Sequence, residues 1–206
     1  MTIEEKILRG AQELVFRYGI KSITMDDIAK HLGMSKKTIY QHYSDKDELI
    51  SKLVEFLLGH NSEQMECIVE QSKDPIHEII ETMKMMSSTF AKMNPILFHD
   101  MMKYYPESYQ KFRAFKENRI LKMIENNLRK GQELNLYRTD ININIKILAR
   151  LRLEQLDLAV NFDAFPPDKF SLVEVHVQLL DHFLHGVCTL KGHKLLNKYK
   201  ELHEEE

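Results

Sequence analysis

Residues 24–49 read TMDDIAKHLGMSKKTIYQHYSDKDEL, and this stretch decides the fold of the N-terminal part of the chain. Thr24 stands three residues before Asp27, the spacing of a helix N-cap and an acidic partner in the first helical turn. Gly33 can end that helix, and Ser35 can cap a second one. Two short helices joined by a turn that contains glycine are typical of a helix-turn-helix motif.

The helical pattern continues on both sides of this motif, which occupies about residues 24–43. Before it, apolar residues from Ile7 onward follow the spacing of an amphipathic helix that Gly19 can close in the left-handed conformation. After it, Asp45 and Glu48 have capping-box spacing and open a long helix. Further helices are predicted after Asp74-Pro75 and Asn94-Pro95, over 106–131, over 140–161 with Asp140 as the cap, and over 168–190, before Gly192 leads into a short charged tail. The predicted fold class is all-α.

Composition limits the kinds of partner that the chain can have. It has 206 residues and a formal net charge of -2, so a nucleic-acid surface must be local. Cys67 and Cys188 are far apart and are expected to be reduced. No apolar run is long enough to span a bilayer, and the first residues do not have the pattern of a signal peptide. We therefore predict a cytoplasmic protein without a membrane partner.

The second helix of the motif has one apolar face and one face rich in hydrogen-bond donors. Ile39 and Tyr43 are four residues apart and are expected to pack against Ile28 and Leu32. The donors then point away from this core, as they do in a helix that enters the major groove of double-stranded DNA. The predicted DNA-binding residues are Thr24, Ser35, Lys36, Lys37, Thr38, Tyr40, Gln41, His42 and Lys46. The alternative interpretation is a solvated helical face without a partner.

Lysine can donate to guanine, Gln41 can pair with adenine, and Thr38 and Tyr40 can reach phosphates. Lys46 lies at the start of the next helix, where free backbone N–H groups also favour a phosphate.

Residues 7–50 resemble the DNA-binding domain of the TetR family of transcriptional regulators. The resemblance is carried by an amphipathic first helix and by two strings, GIKSITMDDIA at 19–29 and GMSKKTIYQHYSDKDEL at 33–49. It implies a three-helix helix-turn-helix domain at 1–50 and a larger helical ligand-binding and dimerisation domain at 51–206. It also implies a homodimer that binds a palindromic operator and releases it when a small molecule binds. The family's usual DNA-contact positions correspond to Thr24, Lys36, Thr38, Tyr40, His42 and Lys46.

The C-terminal two-thirds of the chain contain a segment rich in methionine and aromatic residues. Flexible thioethers and rings suit a pocket for a small apolar ligand, and the predicted pocket residues are Met86, Phe90, Met101 and Tyr109. The alternative is that the methionines fill an ordinary helical core. The histidines lack HExxH spacing, so we expect no metal site and no cofactor. His99, His176, His182 and His185 are instead expected to be polar groups of the pocket or hydrogen-bonding groups of an interface.

The helices predicted at 140–161 and 168–190 carry extended apolar faces. In the TetR family the corresponding pair forms a four-helix bundle with its mate, and the predicted interface residues are Leu151, Leu156, Val160, Leu179 and Phe183. Arg152 and Glu154 interrupt the first face and are expected to form charged pairs at its rim. The alternative is that both helices belong to an intramolecular core.

The leading functional prediction is a ligand-responsive transcriptional repressor. A DNA-binding regulator without a small-molecule ligand is the alternative. A helical enzyme is the remote one, because the sequence has no GxSxG elbow and no glycine loop that could cradle a phosphate.

Overall fold

The computed structural model describes residues 1–139 and 144–204, with side chains as far as residue 200. Within these residues the all-α prediction is confirmed, since helices and turns account for the fold and β structure is limited to an isolated antiparallel bridge between Tyr137 and Cys188. No helix in this described part is both long and apolar enough to cross a membrane.

The helices follow one another with short connections. In chain order they are α1 (Ile3–Tyr18), α2 (Met25–Leu32), α3 (Lys36–His42), α4 (Lys46–Gln71), α5 (Pro75–Phe90), α6 (Ile96–Tyr104), α7 (Pro106–Phe115), a π-helical turn (Lys116–Ile120), α8 (Leu121–Glu133), α9 (Ile145–Ala159), α10 (Leu172–Val187) and α11 (Leu190–Glu204).

The described chain divides into two compact units. The first unit contains residues 1–62 and 92–115, and the second contains residues 63–91 together with the described residues from 116 onward. Helix α4 contributes its first part to one unit and its last part to the other. The predicted domain border after residue 50 falls inside α4 and stays a prediction.

The caps of α2 and α3 are those that the sequence predicts. The Thr24 hydroxyl accepts the Asp27 N–H at 3.2 Å, and the Asp27 carboxylate accepts the Thr24 N–H at 2.9 Å. Gly33 ends α2 in the left-handed conformation, with φ 64° and ψ 29°. The Ser35 hydroxyl then accepts the Thr38 N–H at 3.1 Å. Local hydrogen bonding therefore defines both ends of the turn between these helices.

Two details of the neighbouring helices differ from the prediction. Gly19 has φ 80° and ψ 163°, which is positive but outside the left-handed helical region. At the start of α4, Asp45 accepts the Glu48 N–H at 2.8 Å as expected. The Glu48 carboxylate does not return to Asp45; it accepts both the N–H and the hydroxyl of Ser44, each at 2.7 Å. Ser44 supplies two donors to this carboxylate and so displaces the reciprocal bond of a capping box.

Several later boundaries also differ. The helix that follows Tyr105-Pro106 is interrupted by the π-helical turn before it resumes as α8. Helix α9 begins at Ile145, where the Asn144 side chain accepts the Lys146 N–H at 3.0 Å. The predicted cap Asp140 lies outside the described residues. Helix α10 begins after Ser171, four residues later than predicted.

The predicted charged tail after Gly192 is wrong, because this segment forms α11. Leu196 and Tyr199 are three residues apart and both are buried, so a short apolar stripe anchors an otherwise charged helix. The Tyr199 hydroxyl donates to the Asp74 carboxylate at 2.5 Å. Gly192 permits close packing, since a Cβ there would lie 2.2 Å from the Leu136 carbonyl oxygen.

Candidate nucleic-acid interface and cavity

Helix α3 is held by a small apolar core in the first unit. Ile28 and Ile39 are fully buried and Tyr43 is 5% exposed. Leu32 packs against α1 at Gly10, where an added Cβ would lie 2.5 Å from Leu32 Cδ2. The predicted burial of one face of α3 is therefore present, and the opposite face is fixed in orientation by it.

That opposite face is exposed and polar. Lys36, Lys37, Tyr40 and Gln41 are all exposed, and Tyr40 retains 49% of its accessible surface. These side chains offer ammonium, hydroxyl and amide groups from two turns of one helix. A helix of this size fits the major groove, where such groups meet base edges and phosphates.

Part of the predicted contact set is already engaged within the chain. The Lys36 ammonium pairs with the Asp26 carboxylate. His42 Nδ1 lies 3.3 Å from Glu4 Oε1. The hydroxyls of Thr24, Ser35 and Thr38 all take part in the helix caps. DNA would have to compete with Asp26 for Lys36, so this lysine would contribute less free energy to DNA binding than a lysine without a partner.

Lys46 is electrostatically different from Lys36. It is half-buried, and no carboxylate oxygen among the described residues lies within ion-pair distance of it. Burial lowers the pKa of Lys46, and the charges of Asp47, Asp100 and Asp27 act in the opposite direction. The Lys46 ammonium therefore stays available to a phosphate beside the N-terminus of α4.

The second unit contains a partly open cavity of about 80 Å³. Most of its walls are apolar, and four of the side chains are methionines. Residues from α4, α5, the π-helical turn, α8, α9 and α10 contribute to it, among them Met65, Met83, Met86, Met123, Leu180 and Phe183. The space exceeds what a single water requires.

Two polar side chains line this cavity: Arg152 was not predicted to be there, and His176 was predicted only as a polar group of either a pocket or an interface. Arg152 is 7% exposed; its Nη1 donates to Gln155 Oε1 at 3.1 Å, and no carboxylate in the described chain pairs with it. Its guanidinium lies 5.9 Å from the centre of the Phe183 ring. His176 is 1% exposed, and neither ring nitrogen has a hydrogen-bond partner among the described residues. The expectation that Arg152 forms a charged pair at a rim is therefore wrong.

Burial changes the acid–base properties of these two groups. It lowers the pKa of Arg152 to about 10. It also lowers the pKa of His176 to about 4, with a further contribution from the positive charge of Arg152. At neutral pH the cavity therefore holds a guanidinium cation beside a neutral imidazole.

A third polar group that lines the cavity is Glu78 of α5. Glu78 is 7% exposed, and burial raises its pKa, while the Asn127 amide and the charge of Lys130 act in the opposite direction. Asn127 itself is satisfied by structural hydrogen bonds: it donates to the Pro75 carbonyl at 2.9 Å and accepts the Tyr137 hydroxyl at 3.1 Å. Asn127 therefore ties α8 to the start of α5.

The structure separates the four predicted pocket residues. Met86 lines the cavity. Phe90 does not line it but stands edge-on to the His176 ring, with 5.3 Å between ring centres. Met101 and Tyr109 belong to the first unit, and Met101 is buried there. The assignment of Met101 and Tyr109 to the same pocket as Met86 is therefore corrected.

The five predicted interface residues also occupy different environments. Leu151 is 55% exposed, and Val160 and Leu179 are partly buried. Leu156 and Phe183 line the cavity, and Phe183 is also part of the core of the second unit. Exposed apolar side chains on α9 form a stripe of Ile147, Leu151 and Leu158. Leu151 is thus the predicted interface residue with most surface available to another chain.

A sequence signal for the burial of Arg152 and His176 exists. Ala149, Arg152, Leu156 and Ala159 recur at helical spacing on α9, and the two alanines are buried. Arg152 therefore lies on the buried stripe, where a cation is unusual. His176 likewise shares a face of α10 with buried apolar residues.

Among the described residues, no group of His, Cys, Asp and Glu side chains could hold a metal ion.

Comparisons with known proteins agree with this geometry. The family profile described as "Bacterial regulatory proteins, tetR family" matches residues 7–53, which include α2, α3 and Lys46. YvaF of Bacillus subtilis (strain 168), an uncharacterised HTH-type transcriptional regulator, is 22% identical over 188 residues, covering 90% of this chain and 95% of YvaF.

Two solved structures share the fold. FadR of Thermus thermophilus, a TetR family transcriptional repressor in complex with lauroyl-CoA, has a TM-score of 0.55 at 21% identity and covers 89% of this chain and 94% of its own. A Saccharomonospora viridis protein in complex with choline has a TM-score of 0.69 at 17% identity, with 90% and 97% covered. Residues 7–53 therefore match the helix-turn-helix domain of the tetR family of bacterial regulatory proteins, and the chain shares the fold of a solved TetR family transcriptional repressor.

Proposed function

We propose that the protein is a ligand-responsive repressor that binds a palindromic operator as a homodimer. The observation that carries the DNA-binding part is the exposed donor face of α3, held rigid by a buried face on the same seven-residue helix. Lys36, Lys37, Tyr40 and Gln41 would meet base edges and phosphates, and Lys46 would hold a phosphate at the start of α4. This activity assigns the protein to the cytoplasm of a bacterial cell, where the chromosome lies.

Charge balance supports action as a dimer. Residues 1–50 contain eight Lys and Arg against eight Asp and Glu. One such domain has little long-range attraction for DNA, so two reading helices must act together on half-sites about one helical turn or a multiple apart. The exposed stripe of Ile147, Leu151 and Leu158 on α9 offers an apolar surface for a second copy.

The cavity supports a response to a small molecule. Met65 lines it from the last part of α4, and the first part of the same helix carries Lys46. A ligand that enlarges the cavity would displace Met65 and with it α4. Because affinities are linked, a ligand that lowers operator affinity by a given factor must itself bind the operator complex more weakly by the same factor.

The modest size of the cavity favours one alternative, a DNA-binding regulator without a small-molecule ligand. At about 80 Å³ the space is smaller than the cavity of roughly 150 Å³ that accommodates benzene in an engineered protein. The lining methionines weigh against that alternative, because their unbranched side chains can rearrange around a guest. A compound screen that monitors both melting temperature and operator affinity would distinguish the two.

The DNA-binding assignment is tested with lysine variants and an operator selected from random duplex DNA. Lys36→Ala should lose base discrimination, by about 1–3 kcal/mol per half-site if it reads a guanine. Lys46→Ala should weaken binding to all sequences and make the slope of log affinity against log salt shallower by about one per protomer. Lys122→Ala, an exposed lysine of α8 in the second unit, is the charge-matched control. Unchanged affinity in both test variants at two salt concentrations would refute the interface.

A further inference from the structure

Arg152 gives the cavity of the second unit an uncompensated positive charge. The side chain is buried, with 7% of the residue exposed, and the polar partner of its guanidinium is the neutral amide of Gln155. A buried cation without a counter-charge is unfavourable, and an apolar side chain of similar volume would fill the same space without that penalty. The arrangement would be compensated by an anion placed in the cavity.

The acid in the cavity does not supply that anion. Glu78 is the acidic residue among the lining side chains, and its carboxylate makes no ion pair with Arg152. Its raised pKa reflects burial and responds to Lys130 and Asn127, without a contribution from Arg152. Glu78 on α5 therefore does not compensate the charge of Arg152 on α9, and the surroundings of Arg152 stay positive.

His176 adds a second unsatisfied group beside Arg152. The residue is only 1% exposed, its ring lines the cavity, and neither Nδ1 nor Nε2 has a hydrogen-bond partner among the described residues. As a neutral imidazole it can donate one N–H to an oxygen acceptor. Arginine and a neighbouring N–H donor together match the two oxygens of a carboxylate better than they match a hydroxyl or an ammonium.

We propose that the cavity binds a small organic anion whose carboxylate contacts Arg152 and His176 and whose hydrocarbon body contacts the methionine wall. This specifies the ligand class of the proposed ligand response and rests on it for any effect on DNA. The related folds bind chemically unlike molecules, lauroyl-CoA in one case and choline in another, so the fold does not determine the class. The class of ligand is determined instead by the positive charge of Arg152 inside this chain's own cavity.

The size of the cavity restricts the ligand. A space of about 80 Å³ cannot hold a large body without movement of its walls. Met65, Met83, Met86 and Met123 have flexible unbranched side chains that can provide this movement. A short hydrocarbon chain that ends in a carboxylate is therefore a suitable probe.

The test uses three probes of equal length and different charge, octanoate, octan-1-ol and octylamine, titrated by calorimetry into the full-length protein. Wild type should bind octanoate most tightly and octylamine least. Arg152→Met should lose at least about tenfold in octanoate affinity, the usual size of one charge-assisted hydrogen bond, and leave octan-1-ol nearly unchanged. Arg152→Lys should retain part of the octanoate affinity, because the charge remains. Arg129→Met removes an arginine that is 56% exposed on α8 and should match wild type.

Each contrary result has a defined meaning. Equal affinities for octanoate and octan-1-ol, or no binding of octanoate at millimolar concentration, would overturn the anion site. A preference for octylamine would overturn it as well and would assign the dominant charge to Glu78. Operator affinity measured with and without octanoate separates the two proposals: octanoate binding that depends on Arg152 but leaves operator affinity unchanged supports the anion site and contradicts the ligand response.

Discussion

The buried imidazole of His176 should make the stability of the protein depend on pH. Burial and the charge of Arg152 lower its pKa from 6.5 to about 4. Between these values the unfolded chain binds a proton at this histidine and the folded chain does not. The free energy of unfolding should therefore be highest above pH 6.5 and should fall as the pH is lowered towards 4.

The expected magnitude follows from these two pKa values. A tenfold change in proton affinity corresponds to about 1.4 kcal/mol, so acidification from pH 7 to pH 5 should lower the free energy of unfolding by about 2 kcal/mol through His176. Glu78 acts in the opposite direction, because its pKa is raised in the folded state and its proton is held more tightly there. The contribution of His176 must therefore be measured as a difference between variants.

Urea unfolding followed by circular dichroism at pH 7, 6 and 5 provides this difference, with one protomer concentration throughout because association affects apparent stability. His176→Gln removes the titrating group and should reduce the loss of stability between pH 7 and 5 by about 2 kcal/mol relative to wild type. His182→Gln removes an exposed histidine from the same helix and serves as the matched control. The same pH dependence in wild type and His176→Gln would refute the reasoning.

Two further predictions concern assembly and packing. Leu151→Arg places a charge on the exposed α9 stripe and should weaken dimerisation at least about tenfold in sedimentation experiments. The control Leu134→Arg changes a leucine that lies outside α9 and is 49% exposed, and it should leave dimerisation unchanged. Equal effects of the two variants would contradict the interface. Gly131→Ala puts a methyl carbon 1.9 Å from Tyr137 Cδ2 and should lower stability by about 1–3 kcal/mol. Gly59→Ala in α4 adds a methyl group that has no neighbour within 4 Å, and in the same unfolding assay it should raise stability by up to about 1 kcal/mol. A Gly131→Ala variant more stable than Gly59→Ala would contradict the packing.

Local signals explain which parts of the fold were predictable from the sequence. The caps at Thr24, Ser35 and Asp74 depend on a side chain and the backbone within three residues, and the structure contains them as predicted. Helix α11 also has a local cap, since the Thr189 hydroxyl accepts the Gly192 N–H at 3.1 Å, but its charged composition hides an apolar stripe of Leu196 and Tyr199. Its stability comes from packing and from the bond between Tyr199 and Asp74, which are 125 residues apart. A contact between residues so far apart in the sequence cannot be predicted from the residues next to either of them.

The cavity was only partly predictable for a related reason. The density of methionine and aromatic residues between 83 and 109 suggested one pocket, but residues 92–115 belong to the first unit and the cavity to the second. Closeness in sequence was therefore a poor guide to closeness in space. Arg152 was misassigned because a charged residue is normally exposed, whereas helical spacing alone places it on the buried stripe of α9.

The length and continuity of α4 bear on how the proposed ligand response could reach the proposed DNA-binding residues. The helix has 26 residues and so spans about 39 Å without a proline, with Lys46 at its start and Met65 near its end. Such a helix moves largely as a rigid body unless a weak point allows it to bend, and Gly59 is the residue between these two that favours bending most. In the proposed ligand response, displacement of Met65 would therefore reach Lys46 most effectively if the helix stays straight. Gly59→Ala should then preserve or strengthen any effect of octanoate on operator affinity. Loss of the octanoate effect in this variant would mean that bending at Gly59 is part of the response.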